Sequence, residues 1–302
     1  MVNQLVTVEP VEARTQLRRF RDIPFLLHRE DDRWHPGVRA YESWRLDANR
    51  HPYFESGDAA YFLARRGGRP VGRIAAHRAE TGATDGFFGF FDAPDDDDVV
   101  AALLRAAQDW LTGEGVTSMT GPVSWWPEEE FGVRVDGHEH RAITGRPWQP
   151  AWYGQALTRT GLSPGAVRRT YRLDTADALG DPPPTATVDP PPHAGGYSDV
   201  HLVLDGIAAV PDVSETLASA SLRSAWRVAR AARRGGFDTA VCVRCDGDPA
   251  VLVPRLLSAA RHAGYRWLVA PWAADETSPE TVQQVFTRRW APPDASPTSA
   301  RR

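Results

Sequence analysis

Between Gly86 and Pro122 the chain carries one unit that narrows its choice of fold more than any other. Gly86-Phe-Phe-Gly-Phe-Phe91 is apolar and punctuated by glycine, and the acidic knot Asp92-Ala-Pro-Asp-Asp-Asp-Asp98 follows it. Val100, Leu103, Leu104, Ala107, Trp110 and Leu111 then recur at helical spacing, and Gly113 and Gly115 stop the pattern. A second apolar run, Val116 to Val123, contains Gly121-Pro122. The spacing predicts strand, acidic turn, helix over Val99–Thr112, and strand. Carboxylates at the start of that helix oppose the positive end of its dipole, and Asp97 or Asp98 is the expected N-cap.

The flanking segments extend this into an α/β chain with a mixed sheet. Ala59–Arg65 reads as a strand, Arg66-Gly-Gly-Arg69 as a hairpin turn, and Pro70–Arg78 as the returning strand. Residues 1–20 are expected to form a strand and a helix start, and Ile23–Tyr41 a lid-like loop with helical pieces. Pro150–Thr160 reads as a helix and Val167–Asp174 as a strand. Two Asp-Pro-Pro-Pro runs between Ala176 and Gly196 forbid a continuous helix or central strand, so this segment is a stiff linker. The expected division is therefore 1–175, a linker at 176–196, a second α/β domain at 197–290, and a disordered tail at 291–302. The second domain is expected to hold strands at His201–Val210, Asp238–Arg244 and Arg266–Pro271. Its expected helices are Ser214–Arg234, Pro249–His262 and Pro279–Trp290.

Composition excludes several classes. With 302 residues and 42% hydrophobic content the chain can build real cores. A formal charge of -4 makes nucleic acid an unexpected partner. No apolar run approaches the length of a membrane span, and the N-terminus lacks signal-peptide features, so a cytoplasmic protein is expected. Cys242 and Cys245 make no paired zinc framework, and no metal is expected. All 35 basic residues are arginine, which removes catalytic lysine and points to a GC-rich bacterial genome.

The element order from Ala59 to Asp174 resembles the Gcn5-related N-acetyltransferase (GNAT) superfamily. Asn49-Arg-His-Pro-Tyr-Phe54, Val71-Gly-Arg-Ile-Ala-Ala76, Gly86-Phe-Phe-Gly-Phe-Phe-Asp92, Gly121-Pro-Val123, Gly132, Asp136-Gly137 and Trp148-Gln-Pro-Ala-Trp-Tyr153 resemble a bacterial GNAT-like family of poorly assigned activity. Ala102-Leu-Leu-Arg-Ala-Ala107 recurs as Arg255-Leu-Leu-Ser-Ala-Ala260, which raises tandem GNAT-like halves as an alternative to a single unit. The resemblance implies an acyltransferase that moves an acyl group from acyl-CoA or a carrier-protein thioester to a small-molecule amine, in biosynthesis. It implies that strands four and five splay apart, and that the donor's pyrophosphate rests on a helix N-terminus. The chain departs from the pattern there. Asp92 to Asp98 replaces the glycine-rich phosphate loop, and Leu157 stands where a tyrosine is usual. A silent ligand- or partner-binding module and an aminoacyl-tRNA-dependent transferase are the alternatives.

Several residues are candidates for the chemistry. Glu129, in Ser124-Trp-Trp-Pro-Glu-Glu-Glu130, can serve as a base beside the hydrophobic wall of Trp125 and Trp126. His138-Glu-His140 is the densest titratable cluster; on a strand His138 and His140 share a face, which suits a base and a substrate contact. Tyr153 is the expected proton donor, with Trp152 as a substrate contact. Arg223, Arg227 and Arg230 recur at helical spacing and suit donor phosphates.

Overall fold

The structure is a computed structural model that describes residues 5–35, 39–126, 130–178, 202–204, 207–212, 237–271 and 278–291. The chain starts with β1 (Val6–Pro10), α1 (Arg14–His28) and α2 (Arg39–Arg45). β2 (Asp58–Arg66) and β3 (Arg69–Arg78) form the expected antiparallel hairpin. Gly67 and Gly68 close it at φ 57 and 77, the left-handed pair that a tight two-residue turn requires. β4 (Asp85–Asp92), α3 (Asp97–Gly113) and β5 (Ser118–Gly121) realise the crossover unit. The N-cap of α3 is Asp96, not Asp97 or Asp98, because its carboxylate reaches back to the amides of Asp98 and Val99.

β6 (Val133–Asp136), α4 (Tyr153–Arg159) and β7 (Ser163–Asp174) follow. The later part of the chain supplies β8 (Leu202–Leu204), β9 (Ile207–Pro211), β10 (Thr239–Cys245), α5 (Pro249–His262), β11 (Trp267–Ala270) and β12 (Thr281–Arg289). These strands join one mixed sheet in the order β1-β2-β3-β4-β5-β12-β7-β11-β10-β9-β8, with β6 paired to β12.

Side chains alternate across the sheet as a strand dictates. Ala64, Ile74 and Ala76 meet Val99, Val100, Leu103, Leu104 and Ala107 of α3. Leu63 and Ala75 meet Phe20 and Ile23 of α1 on the opposite face. Each large side chain fully buried this way contributes about 1.5–3 kcal/mol relative to exposure. Leu252, Val253, Leu256 and Ala259 of α5 build a separate core over β8 to β11.

Several features differ from the sequence reading. The helix expected over Pro279–Trp290 is β12: Thr281, Val285 and Phe286 are buried, and the strand fills the slot between β5 and β7. The β-branched and aromatic residues of this segment suit a pleated surface, and pairing on both edges overrides its helix-like flanks. The division near residue 175 is also not a break in the sheet. β7 pairs with β12 through Ser163–Thr170 and with β11 through Tyr171–Asp174. The last strand of the expected second domain therefore completes the sheet of the first. The helix expected at Ser214–Arg234, most of the linker and the tail lie outside the described residues.

Candidate functional site

The regular ladder between β4 and β5 spans only Asp85–Phe87 against Ser118–Thr120. At its end the backbones touch: a Cβ at Gly89 would lie 2.1 Å from the Val123 carbonyl oxygen, so only glycine fits there. Beyond that point β4 bulges. The register against β3 shifts between Arg73 and Ala75, and Phe90 takes φ 46. Left-handed backbone at a bulky residue costs of order 1–3 kcal/mol and must be held by its surroundings. Here the Phe90 N–H donates to Ser124 Oγ at 3.0 Å, and the Phe90 ring packs on Trp125 at 4.9 Å.

A cleft of about 110 Å³ opens between the end of β4 and the chain after β5. Phe90, Phe91 and Asp92 line it from β4, and Pro122, Ser124 and Glu130 from the other side. α1 contributes Arg21, Pro24 and Phe25, positions that share one helical face with His28. Trp34, Glu42, Arg73 and Trp148 complete the walls.

Two charged groupings face this space. In the first, Arg73 Nε donates to Asp92 Oδ2 at 2.7 Å, and His28 Nε2 lies 3.0 Å from Asp92 Oδ1. Burial pushes the Asp92 carboxyl up, but the Arg73 guanidinium and the His28 hydrogen bond outweigh it and hold it below its ordinary value. Ionised Asp92 only accepts, so His28 Nε2 carries the proton. Behind Asp92, the Tyr153 hydroxyl accepts from the Ala93 N–H at 3.2 Å and lies 3.4 Å from His28 Nε2. Burial first, and then the Asp92 charge, raise the Tyr153 pKa well above its ordinary value, so the phenol stays protonated.

In the second grouping, one nitrogen serves two carboxylates. Arg45 Nη1 lies 3.3 Å from Glu42 Oε1 and 3.1 Å from Glu130 Oε1. Ser124 Oγ donates to Glu130 Oε2 at 2.5 Å, which ties Glu130 to the β4 bulge. Burial raises the Glu42 pKa, Arg45 opposes it, and the charge of Glu130 adds to the rise.

The residues singled out in the sequence separate in space. Tyr153 joins Asp92 and His28. Trp125 is a buried anchor instead of a cleft wall: it stacks on Tyr53 at 4.8 Å and donates its indole N–H to the Arg45 carbonyl at 2.9 Å. Trp126 packs edge-on to Tyr53, and Trp152 edge-on to Tyr153, both beside the cores. His138 and His140 lie in the turn after β6 and not on a strand, and neither lines the cleft. Burial, with Arg134 adding to it, lowers the His138 pKa, and the His138 carbonyl accepts from Arg33 and Trp148. His140 lies 3.7 Å from Glu280. Glu129, Arg223, Arg227 and Arg230 lie outside the described residues.

Sequence reading did not single out His28, Glu42, Arg73 or Asp92, and it named Glu130 only within the acidic run after Trp126. The stripe Arg21, Pro24, Phe25, His28 carried a helical signal, but Pro24 disguised it as loop. Among the described residues no group of three His, Cys, Asp or Glu side chains could hold a metal ion, and no helix is long and apolar enough to cross a membrane.

No family model matches the chain. Over 190 residues, 61% of its length, the chain is 32% identical to a bacterial ceramide synthase of Caulobacter vibrioides (strain NA1000 / CB15N), covering 49% of that protein. Over 174 residues, 56% of its length, it is 30% identical to Protein YghO of Escherichia coli (strain K12), covering 44% of that protein. The chain thus spans about half the length of the curated relatives it matches. A solved structure containing a GCN5-related glucosamine N-acetyltransferase region, from a fungal multi-domain GH3 β-N-acetylglucosaminidase, superposes with a TM-score of 0.54 at 12% identity. That match covers 94% of this chain and 38% of the other, and at such identity it speaks to fold alone. With β4 and β5 paired in parallel and β12 inserted between β5 and β7, the chain has the fold of the GNAT superfamily.

Proposed function

We propose that this chain is an N-acyltransferase that moves an acyl group from a thioester to the amine of a small molecule with an apolar body. The observation that carries this reading is one cleft that combines the carboxylates of Glu42, Asp92 and Glu130 with walls of Phe25, Trp34, Phe90, Phe91 and Trp148. Carboxylates favour an ammonium, and aromatic walls favour the carbons next to it. The cleft volume of about 110 Å³ is below the roughly 150 Å³ cavity that takes a benzene ring. It therefore suits the amino end and first carbons of an acceptor, with the remainder lying outside.

The reaction needs the proton moves that these groups can make. An alkylamine with a lysine-like pKa of about 10.4 arrives as an ammonium. Glu42 takes one proton from it, because a carboxylate with a raised pKa lies nearer the operating pH. The neutral amine attacks the thioester carbon, the C–S bond breaks, and the surplus nitrogen proton ends on sulfur. The products are an amide and a thiol. Glu130, anchored by Ser124 and Arg45, holds the ammonium in place beside Glu42. Tyr153, kept protonated and buried behind Asp92, accepts from the Ala93 N–H and lies beside His28, so it positions the polar floor of the cleft.

The relative named as a ceramide synthase supports the same bond type, since a ceramide is the N-acyl amide of a long-chain amino alcohol. A long-chain amino alcohol is accordingly the first acceptor to try. A binding module without transfer is the second reading, favoured by the Asp96 carboxylate that caps the first turn of α3. The test is mass spectrometry of the full chain with acyl thioesters and a panel of amines. Equal amounts of amide and free thiol are expected. Absence of amide from every donor, alongside a ligand that raises the melting temperature, would replace the enzyme by the binding module.

A further inference from the structure

The N-terminus of α3 is where this fold offers backbone amides to a donor's pyrophosphate, and a phosphate site requires those amides to be open. Here they are engaged. Of the four N–H groups from Asp96 to Val99, three have acceptors within the chain. Asp96 donates to the Pro94 carbonyl at 2.8 Å. Asp98 and Val99 donate to the Asp96 carboxylate at 3.1 and 3.3 Å. The turn has thus placed its own anion where an external one would sit.

The charges repeat the message. Arg66 lies 2.6 Å from Asp96 and 3.7 Å from Asp98. Arg159 clamps Asp97 through Nε at 2.9 Å and Nη2 at 2.8 Å, and reaches Asp95 at 3.5 Å. Both guanidinium groups near the turn are therefore committed to aspartates. Four carboxylates against two guanidinium groups leave two negative charges on the surface that a pyrophosphate must approach.

We infer that the acyl donor is recognised through its thioester-bearing arm and acyl chain, and that no nucleotide pyrophosphate is held at α3. The inference rests on the acyltransfer reading for what the donor does, but not for how the turn treats phosphate. A donor on a bare pantetheine arm is then handled as well as the same acyl group on CoA.

The test uses the full chain with two probes, CoA and pantetheine, by calorimetry, and the same acyl group on each in the transfer assay. Asp95→Asn/Asp97→Asn/Asp98→Asn keeps the Asp96 cap with its Arg66 pair, frees Arg159 and removes three of the four negative charges. Wild type should bind CoA no more than threefold tighter than pantetheine and use both thioesters with kcat/KM within threefold. The variant should gain at least tenfold in CoA affinity with no gain for pantetheine. CoA binding to wild type tenfold or more tighter than pantetheine would overturn the inference, whereas a variant that gains nothing would assign the exclusion of phosphate to the retained Asp96 cap alone. If the binding results hold and no donor yields amide, the reading of the turn stands and the acyltransfer reading falls.

Discussion

Arg73→Met tests the polar floor of the cleft. Arg73 is buried, and its guanidinium gives Asp92 its closest partner at 2.7 Å, donates to the Phe20 carbonyl at 3.3 Å and lies over the Phe20 ring at 5.1 Å. Methionine keeps much of the apolar stem and removes the charge. Asp92 is then a buried carboxylate held by the His28 hydrogen bond. Breaking a buried pair from one side costs about 3–5 kcal/mol, a factor of roughly 10²–10³·⁵ in the folded-to-unfolded ratio. Urea denaturation at pH 7 reads this directly.

The pH dependence gives the sign. In wild type the folded Asp92 pKa is lowered, so its stabilisation is present above the unfolded value near 3.9 and is lost as pH falls through the folded value. Without Arg73, burial dominates and the folded pKa rises above the unfolded one. The penalty is then full at neutral pH and relaxes as the carboxyl protonates, so the gap between wild type and variant narrows from pH 7 towards pH 4. Arg73→Met/Asp92→Asn should recover at least half of the loss, since the charge left unpaired is gone. A loss below about 1 kcal/mol, or a gap that does not change with pH, would refute the argument that Arg73 neutralises a buried Asp92.

Other consequences can be checked on the same material. Burial, against the pull of its hydrogen bond to the Val123 carbonyl, lowers the His77 pKa to about 4. His77 Nε2–H donates to the Val123 carbonyl, so Nδ1 accepts from the Tyr53 hydroxyl at 2.7 Å. His77 should stay neutral by NMR until pH approaches 4, and its share of stability, full above about pH 6.5, should fade below that. A normal imidazole titration there would contradict the assignment. Gly89→Ala forces a Cβ to 2.1 Å from a backbone oxygen, so the β4–β5 junction must shift. Its melting temperature should fall and the acceptor affinity with it, and unchanged values for both would show the junction is looser than described. Tyr153→Phe keeps the ring packing on Phe91 and removes the hydroxyl bonded to Ala93. The buried Ala93 N–H loses its acceptor, so stability should fall by about 1–3 kcal/mol, and kcat should fall through the disturbed Asp92–His28 floor; unchanged stability and full activity would remove Tyr153 from the site.

The parts of the fold written in local sequence were readable. The α3 stripe, the Gly67-Gly68 hairpin and α5 each declare their period within a dozen residues. β12 was not readable, because its strand character comes from being paired by β5 and β7, both more than a hundred residues earlier in the chain. The cleft was harder still. His28 and Asp92 are 64 positions apart, and Arg45 and Glu130 are 85. Nothing in the spacing of either pair marks them, and only the return of α1 and α2 across the β4 bulge brings them together. The tryptophans misled for a related reason. Trp125 and Trp126 stand next to the cleft in sequence, but Trp125 takes φ 62 and turns its ring into the core. The family resemblance pointed at Tyr153, and the fold places its hydroxyl on Ala93, next to Asp92.

The central claim is that an amine is acylated in the cleft between the β4 bulge and Glu130. A crystal structure of the full chain with a bound N-acyl amide product tests it most directly. The account predicts the amide nitrogen within hydrogen-bond reach, about 2.6–3.2 Å or through one water, of the Glu42 carboxylate. The carbons next to that nitrogen should lie against Phe25, Trp34 and Trp148. Product bound elsewhere on the chain, with Glu42 and Glu130 still closed on Arg45 and no product atom between the cleft walls, would contradict it.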